Sequence, residues 1–172
     1  APEAAPADFD VSALDIRVGR ILKAWHHPEA DKLFCEEIDL GNGEVREIAS
    51  GLRPFYQTED LTGRSVLVLC NLKKRNLVGF GSHGMVLCAS NADHSQVKFV
   101  VPPPGASPGD RVTFGELKGE PEPESKVAKK KIFEKIAPDL KTNGEGQVVW
   151  KDSVAKVAGG DVTAELKDAQ VS

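Results

Sequence analysis

From Ile16 onward the apolar residues fall into short runs with a period near two, the signature of half-buried strands rather than helices. Three such runs, DIRVGRILKAW, LFCEEIDLG and EVREIASG, are separated by HHPEADK and by Gly41-Asn42-Gly43. Two glycines around an asparagine suit a tight reversal, so the second and third runs are predicted to form a hairpin. RPFYQTEDL predicts a short helical segment. After Gly63, SVLVLCNL is almost continuously apolar, as expected of a strand covered on both faces. MVLCAS, QVKFVVP and RVTFGEL follow as further β-like runs, the last two separated by Pro102-Pro103-Pro104-Gly105. Many short strands at roughly 10-residue spacing predict a small barrel or sandwich.

The texture changes after Leu117. GEPEPES reads as a spacer, and in KVAKKKIFEKIA the residues Val127, Ala128, Ile132, Phe133, Ile136 and Ala137 recur at near-helical spacing, predicting one helix that ends at Pro138. GQVVWKD, SVAKVAG and DVTAEL predict three more short strands, with Gly159-Gly160 between two of them. The first dozen residues are rich in Ala and Pro and lack periodicity, as in a tether. The expected organisation is a flexible linker over residues 1–13, a barrel over 14–117 and an annex over 118–172. So few aromatics would leave the annex marginal alone, so it is expected to pack on the barrel.

Composition adds two exclusions. The 172 residues are 40% apolar and 28% charged, a globular balance. No apolar run approaches the ~20 residues of a membrane helix, and the start has neither a basic n-region nor an apolar h-region, so a cytoplasmic protein without membrane contact is expected. Cys35, Cys70 and Cys88 lie within apolar stretches and read as reduced, packed thiols. The formal net charge of −4 conceals an uneven distribution: residues 1–50, 51–100 and 101–172 carry −6, +3 and −1. Between Asp60 and Asp93 no carboxylate occurs, while Arg64, Lys73, Lys74 and Arg75 fall in that interval.

Catalytic and metal chemistry finds little support. Gly79-Phe80-Gly81-Ser82-His83-Gly84 matches GxGxxG literally, but a dinucleotide site requires a helix after it, and strand-like MVLCAS follows instead. His26-His27 and Cys35 have no partner at metal-ligand spacing, so the histidines read as solvated and no cofactor is expected. Ser82 and His83 are adjacent on an extended chain and point to opposite faces, which makes a nucleophile and base pair implausible. What remains is NLKKRNLVGFGSHGMVL. Its cations, its glycines and the side chains Phe80 and Met85 suit phosphates and bases, whereas the plain alternative is a flexible basic hairpin loop with Phe80 and Met85 in the core.

The order of motifs is more specific. LDIRVGRILKAWHHPEADKLFCEEIDLG, then SGL at Ser50 to Leu52, NLK at Asn71 to Lys73 and SHGM at Ser82 to Met85, resembles the tRNA-binding domain shared by endothelial monocyte-activating polypeptide II, bacterial tRNA-binding proteins and the appended C-terminal domains of some tyrosyl- and methionyl-tRNA synthetases. The resemblance runs from about Leu14 to Phe114, and PESKVAKKKIFEKIAPDLKTNGEG continues it into an annex typical of the eukaryotic branch. It implies a mainly β fold, an OB-fold five-stranded barrel with a small C-terminal α+β annex that mimics a dimer partner. It also implies a monomeric, non-catalytic module that grips the outer corner of tRNA and works beside an aminoacyl-tRNA synthetase or in a multi-synthetase complex.

Carried over by position, Asn71, Lys73, Ser82 and Met85 lie on the family's RNA-facing motifs. Arg17 lies in its first-strand RxG motif, with bracing of the barrel as the alternative. Lys74 and Arg75 join on charge, and His83 as a hydrogen-bonding or ionic contact. Relatives usually carry a basic residue near the positions of Asn76 and Val78, which implies weaker binding here. In the annex, Lys126, Lys129, Lys130, Lys131 and Lys135 form the main cationic group, but on one helix they would fan out at about 100° per residue. Some relatives act as cytokines, and Arg17-Val18-Gly19-Arg20-Ile21-Leu22-Lys23 resembles the peptide tied to that activity, so a signalling or protein-scaffold role is the alternative.

Overall fold

Strand β1 (Ile16–His26) is long enough to serve two neighbours in succession. Its first half pairs with β4 (Ser65–Leu69), from Ile16 opposite Leu69 to Arg20 opposite Ser65. Its second half pairs with β2 (Phe34–Asp39), from Arg20 opposite Asp39 to His26 opposite Phe34, with a register shift between Ile21 and Lys23 that bends the strand. β2 continues into β3 (Val45–Ser50) through the expected reversal, where Leu40 N–H donates to Glu44 O at 2.8 Å and Asn42 has φ 54°. With β7 (Met85–Val86) against β4, the order is β3-β2-β1-β4-β7, all antiparallel. The sheet curls into the nearly closed five-stranded barrel expected from the sequence. The computed structural model describes residues 10–93, 95–115, 117, 120–151 and 153–171.

The curl depends on Gly19, because a Cβ there would stand 2.7 Å from Ile38 Cγ2 and 3.0 Å from Leu40 Cδ2. Val18 N–H donates to Asp110 O and Val112 N–H to Ile16 O, both at 2.8 Å, so the chain near residue 110 covers the free edge of β1. The short helix α1 (Thr58–Leu61) buries Leu61 with the barrel interior. The continuous apolar run in β4 is used on both faces. Val66, Val68 and Cys70 join Phe34, Ile38 and Ile48 inside the barrel. Leu67 and Leu69 point outward into a second cluster with Ile132, Ile136, Leu140 and Trp150 of the annex.

The annex shares backbone ladders with the barrel rather than only leaning on it. Its strands are β11 (Leu140–Thr142), β12 (Val148–Trp150), β13 (Ser153–Val157), β14 (Gly160–Asp161), β15 (Thr163–Ala164) and β16 (Gln170–Val171). β16 pairs with β8 (Cys88–Ser90), β15 with β9 (Val97–Val101), and β13 with β10 (Thr113–Phe114). The single helix expected before Pro138 is two, α2 (Glu124–Lys129) and α3 (Ile132–Ile136), separated at Lys131 with φ 52°. On one continuous helix Val127 and Ile132 would sit about 140° apart. The break turns Val127, Ile132 and Ile136 onto the same buried side, each at most 1% exposed.

The linker expected over 1–13 also ends earlier than its boundary. Residues 1–9 lie outside the described set, but Val11–Ala13 form a 3-10 turn capped by Asp10, whose carboxylate accepts from Ser12 N–H at 2.8 Å. Val11 and Leu14 are buried in the annex-facing cluster, which fixes this segment to the fold. The spacer boundary at Lys118 and Gly119 lies outside the described residues.

Candidate nucleic-acid interface

The acid-free stretch is the long connection between β4 and β7, and the structure gives it a form. Within it β5 (Arg75–Leu77) and β6 (Phe80–Ser82) make a two-stranded hairpin. Both turn residues have positive φ, 51° at Val78 and 83° at Gly79, and Gly79 N–H donates to Asn76 Oδ1 at 2.7 Å. A β-branched residue rarely adopts that conformation, so the turn carried no Asn-Gly signal that would have predicted it.

This hairpin stands beside the loop that joins β1 to β2, and His27 connects them. Its Nδ1 accepts from the N–H groups of Glu29 and Ala30, both at 3.0 Å. The ring proton therefore sits on Nε2, which donates to Leu77 O at 3.0 Å. At 4% exposure His27 is a buried fastener, which corrects its reading as a solvated side chain. Phe80 adds edge-on contacts to Trp25 and His27, with centroids 6.0 and 6.3 Å apart. Arg53 donates to Ala30 O at 3.1 Å and steadies the same loop.

The two ends of the connection are clamped as well. Arg46 donates to Cys70 O at 2.6 Å and to His83 O at 3.4 Å, bridging entry and exit, while Glu44 Oε2 accepts from its Nε at 2.6 Å. Asn71 is 6% exposed and donates from Nδ2 to Ala13 O and Glu122 O at 2.8 and 2.9 Å. Its Oδ1 accepts from Asp15 N–H at 2.9 Å. Ser82 is buried too: its Oγ accepts from Ala49 N–H at 2.9 Å and donates to Gly84 O at 3.3 Å. Both side chains expected to face a ligand thus hold the loop to the barrel, because a buried polar group forfeits too much if left unpaired.

The remaining expected residues differ in availability. Arg17 donates to Asp15 at 2.7 Å and to Glu44 at 3.4 Å, and the hydrogen bond with Asp15 raises its already high pKa, so it braces the strand pair. His83 is half-buried with Nε2 2.8 Å from Glu124 Oε2 on α2, tying the loop to the annex. Met85 is half-buried against the annex-facing cluster. Lys73, Lys74 and Arg75 are exposed, and among the described residues they form no ion pair. The Lys74 stem lies over Gly81, where a Cβ would meet its Cε at 2.5 Å. A clamped loop therefore presents three adjacent exposed cations while Asn71 and Ser82 face inward.

The neighbouring β2–β3 face does not repeat this charge. On the β2–β3 ladder Glu37 stands directly opposite Glu47. The annex lysines split with the helix break, and Lys126 pairs with Glu122 at 2.8 Å. The segment Arg17 to Lys23 lies in β1, paired on both sides, with Val18 and Ile21 fully buried. Burial pushes the thiols of Cys70 and Cys88 up to about 12, so neither is poised to react. Sequence reasoning missed Arg46 and His27, since neither belongs to a local motif that reveals a partner 24 to 50 residues away.

Residues 16–111 match the family model described as "Putative tRNA binding domain". The chain belongs to this tRNA-binding-domain family. The matched span is the barrel, and such a domain is accessory and non-catalytic. Similarity continues into the annex. The chain is 50% identical over 148 residues to "Probable methionine--tRNA ligase" of Oryza sativa subsp. japonica, covering 86% of this chain and 18% of that protein. It is 43% identical over 159 residues to "Aminoacyl tRNA synthase complex-interacting multifunctional protein 1" of Cricetulus griseus, covering 92% and 44%. The chain thus spans less than half the length of either relative. The crystal structure of the C-terminal domain of Plasmodium vivax p43 superposes with a TM-score of 0.88 at 36% identity, covering 95% of this chain and 99% of that one.

Proposed function

We propose that this chain grips tRNA at its outer corner, reads backbone shape with little preference among tRNAs, and assists an aminoacyl-tRNA synthetase in the cytoplasm. The synthetase stands in the same polypeptide or in a multi-synthetase complex. One observation carries the reading: Lys73, Lys74 and Arg75 are exposed in succession, outside any ion pair among the described residues, on a loop clamped at both ends, with Lys73 and Arg75 toward the annex helices and Lys74 toward β3. Cations fixed on a rigid frame neutralise phosphates with little ordering cost, and in OB-folds this connection and the β1–β2 loop form the usual nucleic-acid side. Arg17, Asn71 and Ser82 act as positioning residues, while His83 and Met85 flank the cations.

The module works as a monomer on this reading, because annex strands β15 and β16 occupy edges of β9 and β8 that a second barrel could otherwise take. A weak general grip tethered to a catalytic domain raises the local concentration of tRNA, which lowers KM more than it raises kcat. No helix among the described residues is long and apolar enough to cross a membrane.

The test is a salt titration of binding to an unfractionated tRNA pool, with random single-stranded RNA and a DNA duplex as competitors. Steep salt dependence with preference for folded tRNA is the expected result. Absence of binding at low salt would overturn the reading.

A further inference from the structure

Between the clamped loop and the annex helices runs a groove of about 470 Å³ that is largely apolar. Met85 comes to it from the barrel, Val127 from α2 and Phe133 from α3, while Lys73 and Arg75 stand on the loop side and Glu134 on the α3 side. Its size falls within the range of sites that take small ligands, and Phe133 and Met85 are only partly buried. We propose that this groove receives one unpaired nucleotide of the bound tRNA, its base against Phe133 and Met85 and its phosphate at Lys73 and Arg75. The inference rests on the tRNA-binding reading and adds to it a contact made by the annex.

Charge complementarity selects this occupant. An apolar peptide would leave two exposed cations unmatched beside it, whereas a nucleotide offers a flat, polarizable base to the floor and an anion to the rim. The two ends of the groove are unlike. Lys73 and Arg75 have no ion-pair partner among the described residues, and the Glu134 carboxylate opposite them repels a phosphate, so the nucleotide has one favoured orientation. The fold makes the site possible through the helix break at Lys131. Without it, Val127 of α2 could not lie on the same side as Ile132 and Ile136 of α3, and the two helices would not both border the groove.

Met85 is the sole methionine of the chain, so a 13C-labelled Met methyl gives a single resonance at the groove. Met85 also borders a barrel-side pocket beside Leu52 and Val97, and the Phe133 variants distinguish the two. Titration with tRNA should move this resonance upfield through ring current from a stacked base. Inorganic polyphosphate, which supplies charge without bases, should leave it nearly in place. Phe133→Ala should weaken tRNA binding by about tenfold with the salt slope unchanged, and Phe133→Tyr, which keeps a ring, should restore it. Thermal melts of both variants separate this effect from unfolding. If tRNA binds while the methyl resonance stays and Phe133→Ala binds as tightly as the parent, the groove is empty in the complex and the inference fails alone. If tRNA does not bind at all, the functional reading fails first and takes the groove with it.

Discussion

Glu36 is a carboxylic acid in the barrel interior, on a strand position where alternation calls for an apolar residue between Phe34 and Ile38. It is fully buried, accepts from Ser50 Oγ at 2.6 Å through Oε2, and leaves Oε1 without a partner among the described residues. Burial pushes its pKa up to about 8, outweighing the opposing hydrogen bond from Ser50. The folded chain then keeps a proton that the unfolded chain releases near the ordinary value of 4.5. Stability from this group is full below that value and is lost as pH rises towards about 8, at no more than about 1.4 kcal/mol per pH unit. Urea unfolding of the parent from pH 5 to 8.5 should show this decline, and Glu36→Gln should flatten it. Equal slopes for the two proteins would mean that Glu36 ionises without cost. Asn71 teaches a related lesson at this scale: the same amide that suits ribose and phosphate also suits three backbone groups, and only its burial shows which it serves.

At the scale of the element, the loop from Cys70 to Gly84 separates the work of holding from the work of contacting. Arg46, His27, Asn71 and Ser82 hold it, and Lys73, Lys74 and Arg75 remain outside. Replacing those three by Ala should weaken binding by similar factors for all tRNAs and flatten the logarithmic salt slope by up to ~3 units, with the melting temperature nearly unchanged. A slope equal to that of the parent would place the phosphate contacts elsewhere. The hairpin predicted at Gly41-Asn42-Gly43 was legible because its turn residues are local. For the basic loop the sequence offered a hairpin only as an alternative, and its turn at Val78-Gly79 was not legible, because packing of Phe80 on Trp25 and His27 stabilises a turn that local preference disfavours. The helix split at Lys131 has the same origin, since it trades a left-handed backbone for burying Val127 on the same side as Ile132 and Ile136.

For the whole molecule, the consequence is that barrel and annex form one hydrogen-bonded body. Leu67, Leu69, Leu87 and Val100 on the barrel share one buried cluster with Ile132, Ile136, Leu140 and Trp150 of the annex. A chain ended after Leu117 should expose these barrel residues together with the edges of β8 and β9. It should therefore self-associate or precipitate, and light scattering beside the full chain is the check. A soluble, folded monomer of that length would show that the annex is dispensable for stability and is kept for contact alone. Lys73 and Arg75 of the loop stand at the same boundary, bordering the groove at the annex helices.

The run SVLVLC in β4 contained enough information to place it between two apolar layers, and period-two alternation elsewhere was enough for a small barrel. The gap between Asp60 and Asp93 was likewise enough to find the cationic loop, because charge and side-chain period are properties of neighbours along the chain. Which polar residues of that loop are spent on the fold was settled by contacts such as Asn71 with Ala13 and Arg46 with Cys70, formed between strands that only folding brings together. The shared ladder of β16 with β8 belongs to this second class too. A residue's chemistry is written locally, but its availability depends on what remains unpaired after the backbone and core have taken their partners.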